Sequence, residues 1–211
     1  MRMRSRARWR LFRRQLRPEL IAGVVVLIVL VIASHRRNEV WRQPVKLWAD
    51  AAAKSPMKAR PLLNAGREYD ALGQHDVAAR YFLAAAQLPA VTSTDRKMRS
   101  VALTDLGYLA LMRGDNEPAF GYIQGAMASA PTLEAMNVAA LYDLAMGQPR
   151  RAIQLTDDIL EQGPKEGWRM RSSIWATRGQ AFQAIGDCNN AMASYAALKY
   201  LKPDFQIPAC P

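Results

Sequence analysis

A chain of 211 residues, half of them hydrophobic and only two of them cysteine, can build one domain with its own core. It is too apolar for a disordered polymer and too poor in cysteine for a disulfide-framed miniprotein. The formal charge of +11 raises nucleic acid as a partner, but residues 1–42 carry 11 basic and 2 acidic side chains and leave 18 and 16 for the rest. A nucleic-acid surface needs cations clustered on the folded part, so no nucleic-acid partner is expected.

Residues 1–17 hold eight arginines and no acid, which reads as a basic cytoplasmic tail. Trp9, Leu11, Phe12 and Leu16 could rest on the inner leaflet while the arginines meet anionic headgroups, making membrane lipid a partner of the tail and the span. From Leu20 to Ser34 the chain carries no charge, with Pro18 where a helix can start and His35-Arg36-Arg37 after it. A span of about 20 residues crosses about 30 Å of hydrocarbon. The expected transmembrane helix therefore covers residues 18–38, with its flanking arginines snorkelling.

The denser arginine cluster stays cytoplasmic. The expectation is thus a single-pass inner-membrane protein with its C-terminal domain in the periplasm. Two alternatives remain open here: cleavage after Val31-Ile32-Ala33 by signal peptidase, and export through Arg13-Arg14 as a twin-arginine signal. Both still put the repeats outside the cytoplasm.

Residues 39–56 read as a capping helix. Trp41 and Trp48 are seven apart and expected on one helix face, where they could cover the first unit of a repeat array.

From residue 57 to the C-terminus one pattern recurs four times: a small residue, a turn glycine seven later, an alanine five later, a bulky residue four later, then a proline. The copies are Gly66, Gly73, Ala78, Phe82, Pro89; Gly107, Gly114, Ala119, Ile123, Pro131; Ala140, Gly147, Ala152, Thr156, Pro164; and Gly179, Gly186, Ala191, Tyr195, Pro203. Small residues let paired helices approach, the turn glycine makes a positive φ cheap, and proline stops the second helix. Trp175 and Phe182 complete the last copy. The third is the weakest, because Thr156 stands where a bulky residue is expected.

This pattern resembles the tetratricopeptide repeat family over residues 57–203. The resemblance implies an all-α fold, in which about four helix pairs stack into an α-solenoid that presents a concave surface to a partner. The turn glycines are 41, 33 and 39 residues apart, against a family unit of about 34. The surplus falls at Val91–Arg96 and at Lys165–Met170, where helix-extending turns or loops are expected. Trp168 in the second is read as packing on the next repeat or anchoring a partner.

Helical spacing from the small residues puts the candidate partner-binding side chains on the first helix of each pair. They are Asn64, Arg67 and Asp70; Asp105 and Tyr108; Asn137; and Thr177, Gln180 and Gln183. Their mixed polarity suits an extended peptide or a helix.

Cys188 begins the last helix, which rises about 20 Å to Leu201. The tail after Pro203 can run back over about 23 Å, so Cys210 can reach Cys188. A disulfide is expected, with Phe205 and Ile207 over the last repeat and an oxidising compartment outside.

Enzymatic activity, cofactors and metals are not expected. His35 lies beside the span, His75 in a turn, and no phosphate loop, nucleophile elbow or metal-binding spacing is present. Asp157 and Asp158 read as a solvated face.

A shorter likeness runs through Arg37-Asn-Glu-Val-Trp41, Leu47-Trp48-Ala-Asp50 and Lys54-Ser-Pro56-Met-Lys58-Ala-Arg-Pro61. It resembles the stretch preceding the extracytoplasmic repeats of bacterial membrane proteins related to O-mannosyltransferases. That resemblance implies an accessory role in surface glycan or pilus assembly. The leading expectation is a membrane-anchored periplasmic scaffold for protein–protein interaction in an envelope complex. The alternative is a permanent structural subunit whose partners are integral membrane subunits.

Overall fold

The computed structural model describes residues 18–162 and 168–210, and among them every regular element is a helix. The readings made for the basic tail, for Pro164 and the loop from residue 165 to 167, and for the side chain of Trp168 lie outside what is described. The chain divides into two units, residues 1–47 and 48–211.

In the first unit, α1 runs Pro18–Arg42. Its segment Leu20–Glu39 is long and apolar enough to cross a membrane, and its large aliphatic side chains from Leu20 to Ile32 are all exposed. Proline disfavours helical geometry in the residue before it, so the chain breaks at Gln43 and α2 starts afresh at Pro44, ending at Lys54. That break corrects the expectation that Trp41 and Trp48 share a helix face. Trp41 ends up 60% exposed on α1, whereas Trp48 and Ala52 on α2 join the core formed with Leu62, Leu63, Phe82 and Leu106.

The second unit is a stack of helical hairpins: α3 (Ala59–Ala71) with α4 (His75–Ala86), α5 (Ser93–Arg113) with α6 (Asn116–Ser129), α7 (Leu133–Ala145) with α8 (Pro149–Glu161), and α9 (Trp168–Ala184) with α10 (Cys188–Leu201). Each second helix also packs on the next first helix, while the first helices touch one another in the series α3, α5, α7, α9. They form a continuous row, which is the wall on which a groove can be built.

Local chemistry explains the boundaries. Gly114 closes α5 with φ 79°, a left-handed geometry that costs a side-chain-bearing residue about 1–2 kcal/mol, and glycines at 73, 147 and 186 do the same. At the other end of α5, Thr92 and Asp95 form a reciprocal capping box. The surplus at Val91–Arg96 is therefore largely helix: α5 gains turns at its start. Arg99 in that extension donates to the carbonyls of Ala86 and Leu88 at 3.1 and 2.7 Å, satisfying acceptors that the end of α4 leaves open.

The repeat residues pack as matched pairs. Ala78, Ala119, Ala152 and Ala191 are each fully buried. Gly66 faces the Phe82 ring, Gly107 faces Ile123 and Gly179 faces the Tyr195 ring. In the third hairpin both members change together, Ala140 with Thr156, and both are 0% exposed. The smaller partner leaves room for a methyl group. The Thr156 hydroxyl donates to the carbonyls of Ala152 at 3.0 Å and Ile153 at 2.8 Å, so a buried polar atom is satisfied within its own helix.

The tail is fastened as the cysteine positions predict. Cys188 and Cys210 are disulfide-bonded, 5.7 Å between Cα atoms, and Phe205 and Ile207 pack on the cluster of Phe182, Tyr195 and Leu198.

Candidate functional site

A groove of about 450 Å³ opens on the row of first helices, lined by residues of α5, α7 and α9 alone. Five of the nine candidate side chains line it: Asp105 and Tyr108 from α5, Asn137 from α7, and Thr177 and Gln180 from α9. They meet because positions three or four apart share a helix face and the three helices stand side by side.

The remaining four do not line it. Asn64 is half-buried on α3. Arg67 reaches across to the groove's edge, its Nε donating to Oδ2 of Asp105 at 3.0 Å. Asp70 shares a hydrogen bond of 2.8 Å with His75 Nδ1 in the hairpin turn. Gln183 is drawn into the tail clamp: its Nε2 donates to the Ala209 carbonyl at 3.1 Å, and its Oε1 accepts from the Tyr195 hydroxyl at 2.8 Å.

Within the groove the polar groups differ in what satisfies them. Thr177 is 1% exposed and its hydroxyl donates to the Ser173 carbonyl at 3.0 Å. Asn137 is 6% exposed; its Nδ2 donates to Ser173 Oγ at 3.4 Å, while its Oδ1 has no hydrogen-bond partner. Burial pushes the Asp105 carboxyl above its ordinary range; the Arg67 guanidinium works against that push, and the like charges of Asp70 and Glu134 add to it. Tyr108 and Gln180 are exposed at the rim.

Thr104, Glu134, Val138, Leu141, Ser173 and Ala176 also line the groove and were missed. Most were within reach of the same spacing rule: Glu134 is three before Asn137, Leu141 four after it, and Ser173 four before Thr177. Proximity between α7 and its neighbours had no such local signal.

Beside the groove, Arg178 on α9 ties three elements together. Its Nε donates to Asp157 on α8 at 2.7 Å, its Nη1 to Ser194 Oγ on α10 at 2.9 Å, and its guanidinium lies 4.6 Å from the Phe182 ring centroid. This corrects the reading of Asp157 as part of a merely solvated face. Among the described residues no group of three or more His, Cys, Asp or Glu side chains is placed to hold a metal ion.

Solved structures resemble this arrangement. A chain in the crystal structure of the APC/C hetero-tetramer Cut9–Hcn1 superposes with TM-score 0.65 at 16% identity, over 87% of this chain and 33% of that one. The crystal structure of MamA superposes with TM-score 0.51 at 17% identity, over 81% of this chain and 93% of that one. Both are tetratricopeptide-repeat proteins. The fold is a tetratricopeptide-like α-solenoid. The chain spans about a third of the length of the Cut9–Hcn1 chain it matches. No known sequence family matches it, nor does any curated protein.

Proposed function

We propose that this chain is a membrane-anchored scaffold whose solenoid holds a protein partner of a cell-envelope complex in the groove of α5, α7 and α9. The observation that carries the reading is the convergence of Asp105, Tyr108, Asn137, Thr177 and Gln180 on one concave surface. A surface with a few polar groups set among apolar ones, built on rigid helices, suits recognition of a peptide or helix. The assembly named for one structural neighbour, a hetero-tetramer, is in keeping with such a role. Arg67 borders the groove through its ion pair with Asp105, while Asn64, Asp70 and Gln183 lie outside it in this reading.

The exposed aliphatic segment of α1 serves as the anchor, with the N-terminus cytoplasmic and the repeats periplasmic. The arginine asymmetry and the Cys188–Cys210 disulfide, a bond that persists in oxidising compartments, support that orientation. Anchoring keeps the bound partner at high local concentration beside the membrane.

The test is affinity purification from detergent-solubilised membranes of the wild-type chain and a Tyr108→Ala/Gln180→Ala variant. Both substituted side chains are exposed, so the fold is retained. The proposal predicts that a co-purifying protein is lost from the variant while the chain stays in the membrane fraction. Identical co-purification from both would contradict it.

A further inference from the structure

The groove has a one-sided chemistry, whose meaning for a ligand rests on the groove being the partner site. Its lining contains two carboxylates, Asp105 and Glu134, and no lysine or arginine. Arg67 pairs with Asp105 from outside that lining. Among the described residues Glu134 takes part in none of the ion pairs.

A second observation is independent of charge. Asn137, 6% exposed and part of the lining, turns its Nδ2 to Ser173 and leaves Oδ1 without a donor. Buried acceptors are nearly always paired. On a side chain that lines a groove, such an oxygen can meet an incoming donor after a turn of the Asn137 side chain, because its desolvation has already occurred. Carboxylates and a carbonyl oxygen are all acceptors; the complementary group is rich in N–H and positively charged.

We infer that the groove receives a lysine or arginine side chain from an extended segment of the partner protein, with Asp105, Glu134 and Asn137 Oδ1 accepting from its ammonium or guanidinium group. Val138, Leu141 and Ala176 face the methylene stem, and Tyr108 offers an aromatic face at the rim. The groove crosses three helices, and adjacent axes lie about 8–10 Å apart. Two such steps match about five or six extended residues at about 3.3 Å each. That length selects a protein segment over a free amine.

The test uses the full chain in detergent micelles and fluorescein-labelled pentapeptides Gly-Leu-Xaa-Leu-Gly, with lysine, arginine, norleucine or glutamate at the centre, followed by anisotropy. The lysine and arginine peptides should bind about tenfold or more tighter than the norleucine peptide, with the glutamate peptide weakest. Glu134→Gln and Asn137→Leu should each remove much of that preference, bringing lysine and arginine binding toward that of norleucine, while melting curves show both variants folded. Should Asn137→Leu fail to fold, Glu134→Gln, on a partly exposed side chain, decides alone.

Equal binding of the four peptides, a preference for glutamate, no measurable binding, or a preference untouched by either variant would overturn the inference. Spermidine binding as tightly as the lysine peptide would overturn the assignment to a protein segment. If a partner is captured in cells through Tyr108 and Gln180 while the peptides show no basic preference, the scaffold reading stands and the charge reading falls.

Discussion

Gly66 on α3 packs against the ring of Phe82 on α4: a Cβ added there would stand 2.7 Å from Cδ1 of Phe82, closer than atoms can pack. The same relation holds between Gly179 and Tyr195, whereas a Cβ on Gly107 would meet Cγ1 of Ile123 at 3.0 Å, a milder crowding. Replacing a helical glycine by alanine gains about 1 kcal/mol of helix propensity, and overpacking costs about 1–3 kcal/mol. Gly66→Ala should therefore destabilise by up to about 2 kcal/mol, and Gly107→Ala should be close to neutral. Adding Phe82→Thr to Gly66→Ala, which copies the Ala140–Thr156 pair, should cost less than the sum of the two single changes. A double-mutant cycle by thermal or denaturant unfolding reads this coupling; additivity would contradict it.

The disulfide closes a loop of 22 residues, and closure of that length is worth about 3 kcal/mol. Cys210→Ser should lower the stability of the last hairpin by about that amount. Tryptic digestion should then release the tail. Alkylation before and after reduction should show no reactive thiol in the oxidised wild-type chain.

Stability should vary with pH in two distinct windows. Asp95 and Asp187, held by hydrogen bonds at the starts of α5 and α10, have folded pKa values below the ordinary 3.8. Their contribution is present above that value and is lost as pH falls through the lowered one. Asp105 and Asp143 are pushed above 3.8, first by burial. The folded state binds their protons more tightly than the unfolded state, so they take stability away as pH rises from 3.8 through their folded values. Melting temperature should accordingly rise as pH falls through the folded values of Asp105 and Asp143 toward 3.8, and then fall below the ordinary carboxylate range. Asp105→Asn should flatten the upper limb and leave the lower one in place.

The orientation of the anchor is open to a direct test. Protease added to intact spheroplasts should digest the solenoid and spare an N-terminal fragment. A solenoid protected until the cells are opened would contradict the periplasmic placement.

Much of the fold was legible because its rules are local. The spacing of glycine, alanine and proline marks hairpins wherever it occurs, and Thr156 in place of a bulky residue hid only until its partner Ala140 was set beside it. The groove was legible by halves. Asp105, Tyr108, Asn137, Thr177 and Gln180 follow from helical periodicity. Gln183 and Asp70 obey the same periodicity, yet the first is taken by the tail and the second by His75, contacts that depend on where the chain returns. Asp157 was misread for a similar reason, since its partner Arg178 comes from the next helix. The proline after Gln43, which separates Trp41 from Trp48, was visible in the sequence and outweighs the seven-residue spacing.

The most direct measurement is photo-crosslinking in living cells from a benzoylphenylalanine placed at Gln180, on the groove, and separately at Gln154, exposed on α8 and outside the groove lining. A discrete protein adduct from position 180, lost when Tyr108→Ala is added and missing from position 154, is the predicted result. Adducts of equal yield from both positions, or none from position 180, would contradict a partner held in the groove of α5, α7 and α9.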